Sequence, residues 1–285
     1  MEKSAERLRI LRKIAEYEKQ GIFDRDVEND PPTIPIKAGE VDYKYEKRST
    51  YIRSEFANFV AKTYFDIQIM IKNLVIKEVR GMENYLAVRD KGVVITANHF
   101  NPNDQYAVFK VIEKDLGRRR LYRVIREGNY TSFTGFYRLL FRNCNTLPLA
   151  SSRAVLREFS QGIAYHLKRG EKVLIYPEQA MWWNYKKPRP LKSGAFRFAA
   201  ESGAPVLPFF LTMEDTDRIG ADGFPIQAYT VHILPAIFPD KNLGVRENAR
   251  FMAEKNYNVW KEVYEDFYKI PLTYTTEEEV CGISQ

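Results

Sequence analysis

Long apolar runs are missing from this chain. Its most apolar stretches, Ile67-Gln-Ile-Met-Ile71 and Val206-Leu-Pro-Phe-Phe-Leu211, fall far short of the roughly 20 residues that cross a bilayer as a helix. Mean hydropathy is -0.43, which speaks against an integral membrane protein. Cysteine is scarce too: Cys144 and Cys281 are the only two, too few for a disulfide framework or a zinc pattern. With three histidines there is little to ligate a metal, and no metal is expected. The N-terminal stretch MEKSAERLRILRK interrupts its apolar positions with charge, unlike a secretory signal. A cytoplasmic setting is expected.

Charge, by contrast, is plentiful and unbalanced. Among 285 residues, 44 Lys and Arg against 37 Asp and Glu leave a net charge of +7. An acidic partner follows: nucleic acid, an anionic membrane surface or an acidic protein. No helix-turn-helix, RNP-type strand or zinc pattern accompanies the charge, so nucleic acid is not expected.

Two regions differ in rhythm. Residues 1–74 read as an N-terminal helical segment with a proline-containing loop. In it, a short helix over 3–20 carries Leu8, Leu11 and Ile14 on one stripe. A second helix, from Ile52 through Phe56, Phe59, Val60, Phe65, Ile67, Met70 and Ile71, is expected to face the core. Residues 75–285 alternate strands with helices. Strands are expected at 93–97, 121–125, 146–149, 172–176, 206–211 and 228–234. Helices are expected at 103–116, 132–142, 152–169, 192–202 and 246–268. This alternation signals an α/β domain, a mostly parallel (mixed) sheet covered by helices on both faces, with a C-terminal closing helix.

The strand at 93–97 runs into Asn98-His99-Phe100-Asn101-Pro102-Asn103-Asp104. Asn101 suits a helix N-cap, Pro102 the first helical position, and Asp104 the third, where the helix dipole favours a carboxylate. The turn lies beyond the carboxyl end of a strand, where open α/β sheets bind ligands. It can fold the Asp104 carboxylate onto the His99 ring, which fixes the tautomer and leaves the other ring nitrogen to take a proton. No serine or cysteine in this segment is spaced as a nucleophile. The chemistry this suggests is general-base activation of a substrate hydroxyl, with a rate that falls as pH drops through the histidine range.

Further blocks follow in order: a strand ending in Pro177-Glu178, then Leu191-Lys-Ser-Gly194-Ala-Phe-Arg-Phe-Ala-Ala, then Gly203-Ala-Pro-Val-Leu-Pro208. Together with Asn98-His99-x4-Asp104 they make residues 75–240 resemble the glycerolipid acyltransferases of the lysophosphatidic acid acyltransferase type. The resemblance implies an O-acyltransferase with His99 and Asp104 as base and orienter. The hydroxyl of a lysophospholipid-like acceptor, 1-acylglycerol-3-phosphate first among them, would attack the thioester of acyl-CoA or acyl-carrier protein without an acyl-enzyme. No cofactor is implied, because the acyl thioester is a co-substrate. The Arg118-Arg-Arg120 run is a candidate contact for that donor's acidic groups. The protein would work peripherally on an anionic membrane. The alternative is a catalytically silent lipid-binding or membrane-tethering protein with the same fold.

On the substrate-binding side the resemblance brings in Asn98, Arg126 (in place of a family lysine), Arg153 and Glu178. Where the family carries Phe-Pro-Glu-Gly-Thr-Arg, with an arginine on the acceptor phosphate, this chain reads Tyr176-Pro-Glu-Gln-Ala-Met181. Met181 cannot pair with phosphate. The cations that follow, Lys186, Lys187, Arg189 and Lys192, are the candidates to replace that arginine. Trp182 and Trp183 suit a bilayer boundary or a roof over an acyl chain, and backbone N–H groups near Pro177-Glu178 are candidate oxyanion donors.

Overall fold

The computed structural model describes residues 2–29 and 31–274; Cys281 lies outside them. Seven strands form one sheet: β1 (Val75–Arg80), β2 (Val93–Thr96), β3 (Leu121–Arg126), β4 (Thr146–Leu149), β5 (Lys172–Ile175), β6 (Val206–Ile219) and β7 (Pro225–Ile233). Their order across the sheet is β1-β7-β6-β2-β5-β3-β4. All neighbours run parallel except β6 and β7, which form an antiparallel hairpin. The sheet is therefore mixed and mostly parallel, as the alternation of elements implied.

Alternation along the central strands divides the core into two faces. Val93, Ile95, Leu121, Leu174 and Leu207 point to one face, which α4 (Asp104–Ile112) covers. Val94, Tyr122, Val173 and Val206 point to the other, beneath α7 (Arg153–Lys168) and α8 (Gly194–Ser202). The last helix of the described residues, α9 (Val245–Tyr268), lays Trp260 and Tyr264 against Phe210. Helix α8 stops at Gly203, whose φ of 62° is the left-handed conformation that glycine adopts without a Cβ penalty.

Outside this core lie α1 (Ala5–Lys19) and α2 (Arg48–Met70), with α3 (Met82–Leu86), α5 (Glu127–Thr131) and α6 (Gly135–Asn143) filling the connections. Helix α2 corrects one expectation. It buries only Ser54, Ala57 and Phe65, while Phe56, Phe59, Ile67 and Met70 stand exposed. A helix with apolar residues on most of its circumference cannot turn them all toward a single sheet face.

Two histidines away from the turn between β2 and α4 are buried neutral. His166 donates Nε2–H to the Tyr43 carbonyl at 2.8 Å and stacks on Tyr122, with Nδ1 unpaired. His232 lies 3.0 Å from the Thr212 hydroxyl. Burial pushes both imidazoles down to about 4. An unfolded histidine titrates near 6.5, so the unfolded chain gains protons first as pH falls. Stability should be unaffected above about 6.5, decline between there and about 4 by about 3 kcal/mol per histidine, and level off below. Thermal midpoints at pH 7.5 and 5.0 check this. His166→Phe, although weaker at pH 7.5 for want of its Tyr43 bond, should show a smaller difference between the two pH values.

Candidate active site

The central strand β2 ends at Thr96, and residues 97–103 turn back before α4 begins. Asp104 governs the turn. Its Oδ2 accepts His99 Nδ1–H at 2.8 Å and the backbone N–H groups of Phe100 and Asn101 at 3.0 and 3.1 Å. Its Oδ1 accepts the Tyr176 hydroxyl at 2.6 Å. The carboxylate reaches back over its own turn while the Asn101 side-chain oxygen accepts the Asn103 N–H at 3.0 Å, the bond an N-cap makes. The regular helix starts at Asp104, two residues after Pro102.

With Nδ1 donating to Asp104, Nε2 of His99 carries the lone pair. Tyr176, just past β5, lies under the imidazole with ring centroids 4.0 Å apart and planes at 18°. Burial and the Asp104 carboxylate raise the Tyr176 phenol well above the usual tyrosine range, so it stays a donor to Asp104. The side chain of Asp104 is 0% exposed and that of His99 22%: the carboxylate is sealed and the imidazole has one open edge.

That edge faces a cavity of about 1370 Å³, larger than the usual small-molecule pocket. One side is apolar, formed by Phe59 and Phe65 of α2 and by Phe133, Phe136 and Phe141 on and beside α6. The mouth is polar, with Asp24, Asp26, Glu28, Arg126 and Lys192. An imidazole beside a greasy lobe and a charged rim suits an amphiphile.

Residues 77–212 match the family model described as Acyltransferase. This stretch is an acyltransferase domain. It agrees with the resemblance read from the blocks and, for this stretch, with the expectation of an acyltransferase. Among solved structures, the chain is similar to the 1-acyl-sn-glycerophosphate (LPA) acyltransferase PlsC from Thermotoga maritima, with TM-score 0.50 and 16% identity over 79% of this chain and 98% of that one. At that identity the likeness concerns the fold. A comparison with curated protein sequences finds no match.

Several residues expected to touch the acceptor are committed elsewhere. Asn98 is buried and bonded through both amide atoms to the backbone of Leu211, at 2.8 and 3.0 Å. Glu178 accepts the His99 N–H at 3.1 Å, the Arg189 N–H at 2.8 Å and the Arg189 guanidinium at 2.9 Å. Arg189 also donates to the carbonyls of Phe23 and Ala180 and lies over Trp182. Lys187 is sealed in a pair with Glu18 at 2.9 Å. Lys186 sits over the Tyr268 ring, and Arg153 is exposed at the start of α7. None of these six lines the cavity. Only Arg126 and Lys192 of the expected binding residues reach the rim. There Arg126 pairs with Asp26 at 3.0 Å and Lys192 with Asp24 at 2.7 Å.

Both tryptophans are likewise interior. Helix α1 covers them with Ile10, Leu11 and Ile14, Trp182 donates to the Arg25 carbonyl at 2.9 Å, and the Arg7 guanidinium lies over Trp183. The basic, aromatic loop is thus the seat of the N-terminal helix. The oxyanion expectation also narrows, because the Gln179 N–H is spent on the Tyr176 carbonyl at 3.1 Å. Arg119 and Arg120 of the triple-arginine run pair with Asp90 and Glu55.

Segment 31–36 is fixed to the rim by Glu127, whose buried carboxylate accepts the Ile36 N–H at 2.7 Å. A Cβ on Gly128 would meet the Thr33 hydroxyl at 2.7 Å, so glycine permits that approach. Sequence reading passed over Tyr176, Gln105 and Arg123, all of which line the cavity. Arg123 did leave a signal, as a charged residue in the middle of the strand Leu121-Tyr-Arg-Val-Ile125.

Proposed function

We propose that the protein transfers a fatty acyl group from an acyl thioester, acyl-CoA or acyl-carrier protein, to a hydroxyl of a lysophospholipid-like acceptor such as 1-acylglycerol-3-phosphate. The observation that carries this reading is the His99–Asp104 pair opening on a cavity with an apolar lobe and a charged rim. His99 Nε2 takes the proton of the acceptor hydroxyl as its oxygen attacks the thioester carbonyl carbon. Asp104 steadies the imidazolium through Nδ1–H. The tetrahedral intermediate then expels the thiolate, the C–S bond breaks, and the imidazolium returns the proton to sulfur. The acyl chain occupies the lobe between α2 and α6. Incubating the purified protein with acyl-CoA or acyl-carrier protein and a mixture of lysolipids tests this. By mass, a phosphate-bearing lysolipid should gain one acyl group; no gain in any acceptor overturns the reading.

The protein works peripherally on an anionic bilayer in this reading. Among the described residues no helix is long and apolar enough to cross a membrane. Phe56 is 60% and Met70 74% exposed on α2, and the net charge of +7 draws the protein to anionic lipid. Burying such a side chain in lipid is worth about 1.5–3 kcal/mol. Phe56→Asp with Met70→Asp should therefore weaken binding to anionic vesicles at least about tenfold, while turnover of detergent-dispersed substrate persists. Unchanged vesicle binding contradicts the assignment of α2.

A further inference from the structure

Among the described residues four cations line the cavity: Lys62, Arg123, Arg126 and Lys192. Lys62 pairs with Asp66 and Glu113, Arg126 with Asp26 and Lys192 with Asp24. Arg123, in the middle of β3, meets no carboxylate among the described residues. Its Nε donates to Gln105 Oε1 at 2.5 Å, and Nη1 donates to the carbonyls of Cys144 and Leu121 at 3.2 and 3.4 Å. The Phe109 ring lies 5.3 Å from the guanidinium carbon. Nη2 has no protein partner among the described residues.

Such an arrangement is costly. Arg123 is half-buried; drawing a guanidinium part-way out of water without a counter-charge is unfavourable, and burial lowers its pKa. Neutral acceptors satisfy part of its hydrogen-bonding capacity but none of its charge. An apolar side chain of similar length would fill this place without that penalty. The feature makes sense where a ligand supplies the negative charge.

Gln105 sharpens the point. Arginine has only donors, so the glutamine amide must turn its oxygen to Arg123, which directs its NH₂ group elsewhere. That NH₂ also has no protein partner among the described residues, and Gln105 lines the same cavity. Gln105 follows Asp104 directly in α4. The stretch of cavity wall formed by Arg123 and Gln105, next to Asp104 in sequence, therefore holds donors in excess of acceptors around a positive charge that no carboxylate of the described residues pairs. This is the chemistry of an oxyanion site.

We propose that Arg123, with Gln105, binds the phosphate of the acceptor lipid inside the cavity, the task left open by Met181. The inference rests on the reading of the protein as an acyltransferase for a phosphate-bearing acceptor. A fatty carboxylate is the other source of the same chemistry, and the test separates them.

The test compares the full-length protein with Arg123→Met and Gln105→Leu. Binding is followed by thermal shift with three probes of equal chain length: 1-acylglycerol-3-phosphate, monoacylglycerol and the free fatty acid. Without ligand, Arg123→Met should be as stable as the parent or more so, because the uncompensated charge is gone. It should bind the phosphate-bearing probe roughly 10- to 100-fold more weakly, the loss expected of a charge-assisted hydrogen bond, and monoacylglycerol equally well. Gln105→Leu should show the same selectivity to a smaller degree and serves if Arg123→Met does not fold. Lower stability with unchanged phosphate affinity, or equal losses for charged and neutral probes, overturns the proposal. A loss confined to the fatty acid overturns the phosphate assignment in favour of a carboxylate. Because these readouts are binding, they stand apart from turnover. Selective loss in a protein that transfers no acyl group refutes the acyltransferase reading alone, and transfer with indifferent binding refutes this inference alone.

Discussion

His99→Ala should lower the initial rate of acyl transfer by about 10²–10⁴, the usual contribution of a placed general base, while lipid binding and thermal stability hold. The structure separates these effects because the His99 ring is joined to the protein through one hydrogen bond and one stack. The rest of the turn is held by Asp104 through the backbone of Phe100 and Asn101 and by Glu178 through the His99 N–H. None of those bonds uses the imidazole. Initial rates with saturating thioester and lysolipid, beside a melting curve of each protein, check this. A variant that keeps its rate removes the base, and one that loses its melting transition shows that the ring is structural.

Arg189→Met should be the most destabilising of the changes in the basic loop, by about 3–5 kcal/mol. Arg189 and Glu178 are 1% and 2% exposed. Removing one partner strands the other charge in a place water does not reach. The damage should extend to activity, since the same Glu178 carboxylate holds the Arg189 N–H and the His99 N–H. Arg189→Lys should not rescue it: an ammonium cannot serve Glu178 and the carbonyls of Phe23 and Ala180 from one planar fork. Lys192→Met is the control. Its pair with Asp24 is nearly half exposed on both sides, and such pairs contribute at most about 1 kcal/mol. Denaturant midpoints of the three variants order them. Equal losses for Arg189→Met and Lys192→Met would contradict the assignment of Arg189 to the interior.

The contrast between those two cations marks where sequence reading ends. Spacing along the chain is informative when the partners are near in sequence. The turn from β2 to α4 has its base and acid five residues apart, and an N-terminal carboxylate on a helix can reach only a few groups. The central strands were legible for a similar reason, as short β-branched runs between helices. What closes over the loop at 182–192 comes from far away: Glu18 to Lys187, Asp24 to Lys192, Phe23 to Arg189. No local pattern distinguishes a cation awaiting a phosphate from one already paired with an acid about 170 positions earlier. Strand β1 was missed because Val75-Ile-Lys-Glu-Val-Arg80 lies at an edge of the sheet and carries polar side chains that a central strand would not tolerate. The second half of β6, Met213 to Ile219, alternates charged residues outward and was likewise not read as strand. That half continues the antiparallel pairing with β7 that begins at Phe209.

Intact masses of protein and lipid, taken from one reaction, address the central claim that His99 activates the acceptor for direct attack. With acyl thioester alone the protein should keep its mass, and on addition of lysolipid the lipid should gain the acyl group while the protein stays unmodified. A protein heavier by one acyl group before the lipid reacts would contradict direct transfer and point to a nucleophile in place of a base.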